Sequence, residues 1–208
     1  MSKLNLAGKS CTGCTACANI CSHNAIVMKE DSEGFLYPEI NEAKCVNCGL
    51  CEKICPVVGN KQENSNIIQK AYLVTTNEKR FYYRSATTGL CTMLAMNVVE
   101  NGGKVFGVKL DESTWKAYHI CIDDTEGVDE IRNSKYIQSE LGDSFSKAKD
   151  YLKNGVRVLF IGTPCQIAGL KAYLGKDYDN LLTIDLICHG VYSNKLLKEE
   201  VKYWESPS

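Results

Sequence analysis

The chain has 208 residues, 44% hydrophobic and 24% charged, with 24 basic against 25 acidic side chains and a formal net charge of −1. This composition excludes wholesale disorder and fibrous repeats, and no basic stripe with interleaved aromatics marks a nucleic-acid partner. The anomaly is cysteine, because eight of the 12 fall between residues 11 and 55. Met1–Ser10 carries two lysines but no apolar segment, so it does not read as a secretory signal. The longest apolar stretches, Val156–Ile161 and Leu181–Cys188, are too short to span a bilayer. A soluble, cytoplasmic protein without a membrane span is expected. In that reducing compartment, clustered thiols point to metal before disulfides.

The first block is Cys11-x-x-Cys14-x-x-Cys17-x-x-x-Cys21, and the second is Cys45-x-x-Cys48-x-x-Cys51-x-x-x-Cys55-Pro56. Both have the spacing of the bacterial ferredoxin run, in which the fourth cysteine ligates the other cluster. Three thiolates on one tight loop cap three irons of a cubane, but the loop cannot also close around the fourth. One cluster is therefore expected on Cys11, Cys14, Cys17 and Cys55, and the other on Cys45, Cys48, Cys51 and Cys21. Gly13 and Gly49 are free to adopt loop conformations barred to other residues and to aim N–H groups at sulfur. Ala25–Met28 and Phe35–Tyr37, joined across Glu30–Gly34, read as a hairpin covering the clusters. Ser22 stands where proline usually follows the fourth cysteine. Paired zinc sites and strained small disulfide loops are the competing readings; zinc favours pairs of C-x₂-C rather than triplets plus a fourth.

The fold class expected is an α+β ferredoxin-like 2[4Fe-4S] domain (residues 1–58), a polar linker (59–70) and an α/β domain (71–208). Along the second part, Ala71–Thr76 reads as a strand and Gly89–Glu100 as a helix ended by Gly102-Gly103. Lys104–Leu110 and Trp115–Ile122 read as strands, and Ser144–Leu152 as a helix. Val156–Ile161 reads as a buried strand, Gln166–Leu174 as a helix, Leu181–Cys188 as another buried strand, and Asn194–Trp204 as a last helix. This order of strands and helices argues an α/β layer. Two of its strands run into turn chemistry, at Gly162-Thr163-Pro164-Cys165-Gln166 and at Cys188-His189-Gly190. In open α/β sheets ligands sit at the carboxyl ends of strands, so Cys165 and Cys188 are expected to share a crevice. Cys91 and Cys121 read as packing residues. His23 and His119 carry no signal.

Five blocks then appear in order: Arg84-Ser-Ala-Thr-Thr-Gly89, Gly102-Gly-Lys-Val-Phe-Gly-Val108, Ser134-Lys-Tyr-Ile-Gln-Ser139, Gly162-Thr-Pro-Cys-Gln-Ile-Ala-Gly-Leu-Lys171 and Asp185-Leu-Ile-Cys-His-Gly-Val191. Together with the cysteine runs they resemble the beta-subunit family of coenzyme F420 hydrogenases and dehydrogenases over nearly the whole chain. The resemblance implies an iron–sulfur flavoprotein with FAD at the α/β domain, passing electrons between clusters, flavin and an organic acceptor such as coenzyme F420. It implies a cofactor site at Ser85, Thr87, Thr88, Gly89, Lys135, Thr163, Pro164, Cys165 and Gln166. Lys135 would stabilise anionic reduced flavin, and His189 would orient a cofactor or donate a proton. For some members it also suggests a further iron–sulfur cluster, here on Cys165 and Cys188. The partner expected is a redox protein or a soluble electron carrier. Departures are Leu90 where a second glycine is usual, Tyr192 where proline is usual, and an end at Ser208 where members run on for well over a hundred residues. The alternative reading is a non-catalytic electron-transfer subunit, a ferredoxin fused to a docking module.

Overall fold

The computed structural model describes residues 7–59 and 70–205. Most of the expected linker lies outside the described residues. The N-terminal part has two short helices, α1 (Ala16–Ile20) and α2 (Leu50–Lys53), which carry the third cysteine of each triplet, Cys17 and Cys51. Between them β1 (Ile26–Glu30) and β2 (Leu36–Ile40) pair antiparallel, Met28 opposite Pro38, forming the expected hairpin. Asp31 accepts the N–H groups of Glu33 and Phe35 and fixes the hairpin turn.

After the short helix α3 (Lys79–Tyr82), α4 (Leu90–Glu100) leads into β3 (Lys104–Asp111) and β4 (Lys116–Ile122). Then come β5 (Ser139–Glu140), α5 (Ser144–Lys153), β6 (Val158–Gly162), α6 (Pro164–Leu174), β7 (Leu181–Asp185) and α7 (Asn194–Glu205). The five strands form one mixed sheet in the order β5-β4-β3-β6-β7. β3 and β4 are an antiparallel hairpin, whereas β6 is parallel to both β3 and β7. One face packs α4 through Ala95, Val98 and Val99 onto Val105, Ile122 and Leu159. The other face packs α5 and α6 through Phe145, Leu152, Ile167 and Leu170 onto Phe106, Val158 and Phe160. Cys14 and Ala16 belong to that second core. The N-terminal unit is therefore seated on the α5–α6 side of the sheet rather than strung beside it.

Three expectations are corrected. Ala71–Thr76 is not a strand: Tyr72, Leu73 and Val74 face solvent without a partner, so there is no ladder to hold them extended. The segment read as a buried strand at Leu181–Cys188 ends at Asp185 and lies at the sheet edge. Its last rung is the Leu186 N–H to the Gly162 carbonyl, where β6 stops, and Ile187 beyond it is almost fully exposed. Cys91, read as packing, is exposed on the first turn of α4, while Cys121 is half-buried against the core as expected.

His119 is buried on β4, its ring stacked on Phe160 at 5.4 Å. Burial pulls its pKa down to about 4 from about 6.5. The unfolded chain takes up a proton as pH falls through about 6.5, and the folded chain does so only near 4. Stability supplied by the neutral ring is thus complete above about 6.5 and lost as pH falls towards 4, at roughly 1.4 kcal/mol per pH unit. Urea midpoints measured from pH 7 to 5 should fall more steeply for the native chain than for His119→Gln. Equal slopes would exclude His119 as the group responsible.

Candidate metal centres

The two cysteine sets line two separate cavities. Cys21, Cys45, Cys48 and Cys51 surround a cavity of about 200 Å³, together with Ile20, Ile26, Ile40 and Leu50. Cys11, Cys14, Cys17 and Cys55 line the second, with Met28, Pro38 and Val57. The fourth cysteine of each run thus faces the other run's triplet, as the reach of a three-residue loop requires. A tetrahedral zinc draws its sulfurs to about 2.3 Å from one point, and among the described residues no three His, Cys, Asp or Glu side chains converge on one ion position. Four thiols spread around a cavity suit a cubane instead, since each sulfur there binds a different iron. The four-thiol donor sets fit a [4Fe-4S] group at each site, with about 200 Å³ open between the thiols of the one and about 20 Å³ at the other.

Local backbone explains the loops. Gly13 and Gly49 hold φ of +66° and +73°, and a Cβ on Gly13 would lie 2.3 Å from the Gln138 amide. Backbone N–H groups of Gly13, Ala16 and Ala18 point at the sulfurs of Cys11, Cys14 and Cys17. In the other set, the N–H of Ala25 donates to Cys21 Sγ at 3.4 Å. Such donors stabilise negative charge on cluster sulfur and raise the potential. Burial pushes the Cys14 thiol up to about 11 and the Cys17 thiol to about 12.

The sites differ in shelter. Cys48 is exposed, and Val46 and Leu50 beside it also face solvent, so the set containing Cys21 is the outer one. Cys14 is buried in the sheet core, so the set containing Cys55 is the inner one. It rests on α6: a Cβ on Gly169 would approach Cys14 Cβ and Sγ to 3.1 Å, so any larger residue there would push Cys14 back by a few tenths of an ångström. One turn earlier on the same helix face, Cys165 lies close enough to perturb the charge of Cys11. Gln138 joins the units as well, accepting the Leu36 N–H at 2.7 Å, and Asn19 donates to the Gly142 carbonyl at 2.9 Å.

Residues 10–58 match the 4Fe-4S dicluster domain, and residues 155–206 match the C terminus of the coenzyme F420 hydrogenase/dehydrogenase beta subunit. The chain joins these two domains in one polypeptide. Among curated proteins it is 27% identical, over 77% of its length, to the coenzyme F420-dependent sulfite reductase of Methanocaldococcus jannaschii, covering 24% of that protein. It is 23% identical, over 92% of its length, to a subunit of the F(420)H(2) dehydrogenase of Methanosarcina mazei, covering 58% of it. A structure of the F420-reducing [NiFe] hydrogenase complex from Methanosarcina barkeri aligns at TM-score 0.49 and 19% identity, over 64% of this chain and 49% of that one. The chain thus spans about a quarter and somewhat over half of these two curated relatives.

The beta-subunit match contains β6, α6, β7 and α7, and with them both turn motifs. Thr163 and Gln166 form the capping box of α6, with Pro164 in its first turn. Both ends of the Gln166 amide are engaged by protein, Oε1 with the Thr163 N–H and Nε2 with Ser139 Oγ. Cys188 and His189 are exposed on the loop after β7, where the Gly190 N–H reaches Cys188 Sγ at 3.4 Å. Cys165 sits instead on the inner-cluster side of α6.

The remaining predicted cofactor residues gather elsewhere. Ser85–Gly89 precedes α4, with Thr87 exposed and Gly89 buried against Thr76 and Phe81 at φ +74°. Arg84 pairs with Asp129 at 3.0 Å, Asp129 pairs with Arg132, and Lys135 donates to the Arg132 carbonyl. Ser85 Oγ and Arg132 Nε are buried without a hydrogen-bond partner. Burial lowers the Lys135 ammonium to about 8. Arg132 carries no motif of its own in the sequence, although it lies three residues before Lys135. His23, which carries no sequence signal either, lines the outer cavity. Among the described residues, no helix is long and apolar enough to cross a membrane.

Proposed function

We propose that this chain is an iron–sulfur electron-transfer protein in which the outer thiol set meets a redox partner and the inner set hands electrons to the α/β domain. Cys45, Cys48, Cys51 and Cys21 hold the outer cluster, and Cys11, Cys14, Cys17 and Cys55 hold the inner one. The observation that carries this reading is the gradient of shelter: one set opens to solvent at Cys48, and the other is pressed against α6 at Gly169.

At the α/β domain the reading places a flavin on Ser85, Thr87, Thr88 and Lys135. The orphaned Ser85 Oγ and Arg132 Nε fit such a group, since a flavin's phosphate and ring oxygens accept hydrogen bonds from donors of this kind. When bound, clusters carry single electrons, and a flavin joins them to two-electron chemistry on an organic acceptor such as coenzyme F420. Lys135 is the cation that would balance negative charge on that flavin, and with its pKa near 8 it stays protonated at neutral pH. Cys165 lies on the Cys11 side of α6, and Cys188 is exposed on the loop after β7.

Anaerobic reconstitution followed by iron, sulfide and flavin analysis of one sample tests the reading. About eight irons, eight sulfides and one flavin per chain are expected. Eight irons without flavin would convert the reading to a non-catalytic electron-transfer subunit. Four irons or fewer would overturn it.

A further inference from the structure

Behind the inner cluster runs a buried hydrogen-bond chain that the proposed function does not use. His119 Nε2 lies 3.2 Å from the Ile161 carbonyl, and its Nδ1 lies 3.3 Å from Ser139 Oγ. Gln166 Nε2 donates to Ser139 Oγ at 2.8 Å, and Gln166 Oε1 accepts the Thr163 N–H at 3.0 Å. Thr163 Oγ1 ends the chain 3.1 Å from Cys165 Sγ. His119, Ser139 and Gln166 are all buried.

The Ile161 carbonyl can only accept, and this fixes every later link. His119 must carry its proton on Nε2, so Nδ1 is an acceptor and Ser139 must donate to it. The Ser139 oxygen is then free to accept from the Gln166 amide nitrogen, which turns Oε1 towards the Thr163 N–H. Thr163 Oγ1 accepts the Gln166 backbone N–H in the capping box and shares one further hydrogen bond with Cys165 sulfur. From the Ile161 carbonyl to the Thr163 N–H, no link can be reversed alone. The imidazole plane is fixed as well, because Phe160 is stacked between His119 and Phe106. The low pKa of His119 keeps the ring neutral, so this arrangement persists at neutral pH.

The far end of the chain is the first turn of α6, the helix whose face carries Cys165 and Gly169 towards Cys11 and Cys14. We propose that His119, Ser139 and Gln166 are positioning residues for the inner cluster: they lock the N-terminal turn of α6, and with it the Thr163–Cys165 pair, against the cluster's thiolates. A helix N-terminus and an O–H or S–H donor close to sulfur both favour the reduced, more negative cluster. The inner potential therefore depends on His119, a residue that touches no ligand. This inference rests on the iron–sulfur part of the proposed function and not on the flavin.

The test uses the full chain reconstituted anaerobically, with His119→Phe, Ser139→Ala and the double variant, followed by EPR-monitored potentiometry of both clusters. Each single variant is expected to lower the reduced-to-oxidised ratio of the inner cluster about tenfold at fixed potential, a shift of about 59 mV for one electron. The outer cluster should not move. The double variant should shift no further than either single one, because the chain is broken only once. His119→Gln, which keeps a donor and an acceptor, should recover part of the shift. Lowered thermal midpoints with an unchanged gap between the two potentials would overturn the inference, leaving only a structural role. If His119→Phe does not fold, Ser139→Ala, which removes a single oxygen, decides alone. A native chain without an inner-cluster signal would overturn the proposed function together with this inference. An unmoved inner potential in a chain holding both clusters would overturn the inference alone.

Discussion

Cys55→Ala should cost the protein its inner cluster and leave the outer one, lowering bound iron from about eight to about four per chain. Cys21→Ala should do the reverse. Both expectations follow from the two cavities, each lined by one triplet and the other run's fourth cysteine. Paired replacements make iron content decisive on its own. If the ligands cross, Cys11→Ala with Cys55→Ala disables one cluster and leaves about four irons. Cys45→Ala with Cys55→Ala disables both and leaves none. If each run instead closed on its own fourth cysteine, the two double variants would exchange results.

Phe160→Ala should produce the largest loss of stability in the sheet. Phe160 is fully buried on the interior strand β6 and packs against three rings: Phe106 at 5.3 Å, His119 at 5.4 Å and Phe145 at 5.7 Å. Removing a buried phenyl ring costs about 3–5 kcal/mol through lost transfer energy and the cavity left behind. A whole domain is stable by only about 5–15 kcal/mol, so this is a large share. Urea unfolding of the reconstituted protein followed by far-UV circular dichroism should show the midpoint fall accordingly. A change below about 1 kcal/mol would mean that the three neighbouring rings close over the space.

Much of this was legible in the sequence wherever the signal was local. The hairpin around Asp31, the helix opening behind Gly89 and the capping box Thr163–Gln166 each depend on residues within a few positions of one another. The cysteine runs carried more, since loop reach alone implies that the fourth thiols exchange. What the sequence withheld depends on distant partners. Ala71–Thr76 has the composition of a strand, but among the described residues no neighbouring strand receives it. Leu181–Asp185 looks buried, yet it lies at the edge because only β6 flanks it. Gly169 reads as a neutral helix residue until Cys14 is seen against it. His119 shares one face of β4 with Ala117 and Cys121, which places it inward, but its partners come from two other strands, β5 and β6.

The presence of Cys14 among Phe106, Phe145 and Phe160 has a thermodynamic meaning. A ligand that binds only the folded form stabilises everything that unfolds with its site, by RT ln(1 + [L]/Kd). Because a cluster thiol is also a core side chain here, iron loading and burial of the sheet are two sides of one equilibrium. Filling the inner site should raise the melting temperature of strands that touch no metal. Conversely, a substitution deep in the sheet should weaken the grip on iron.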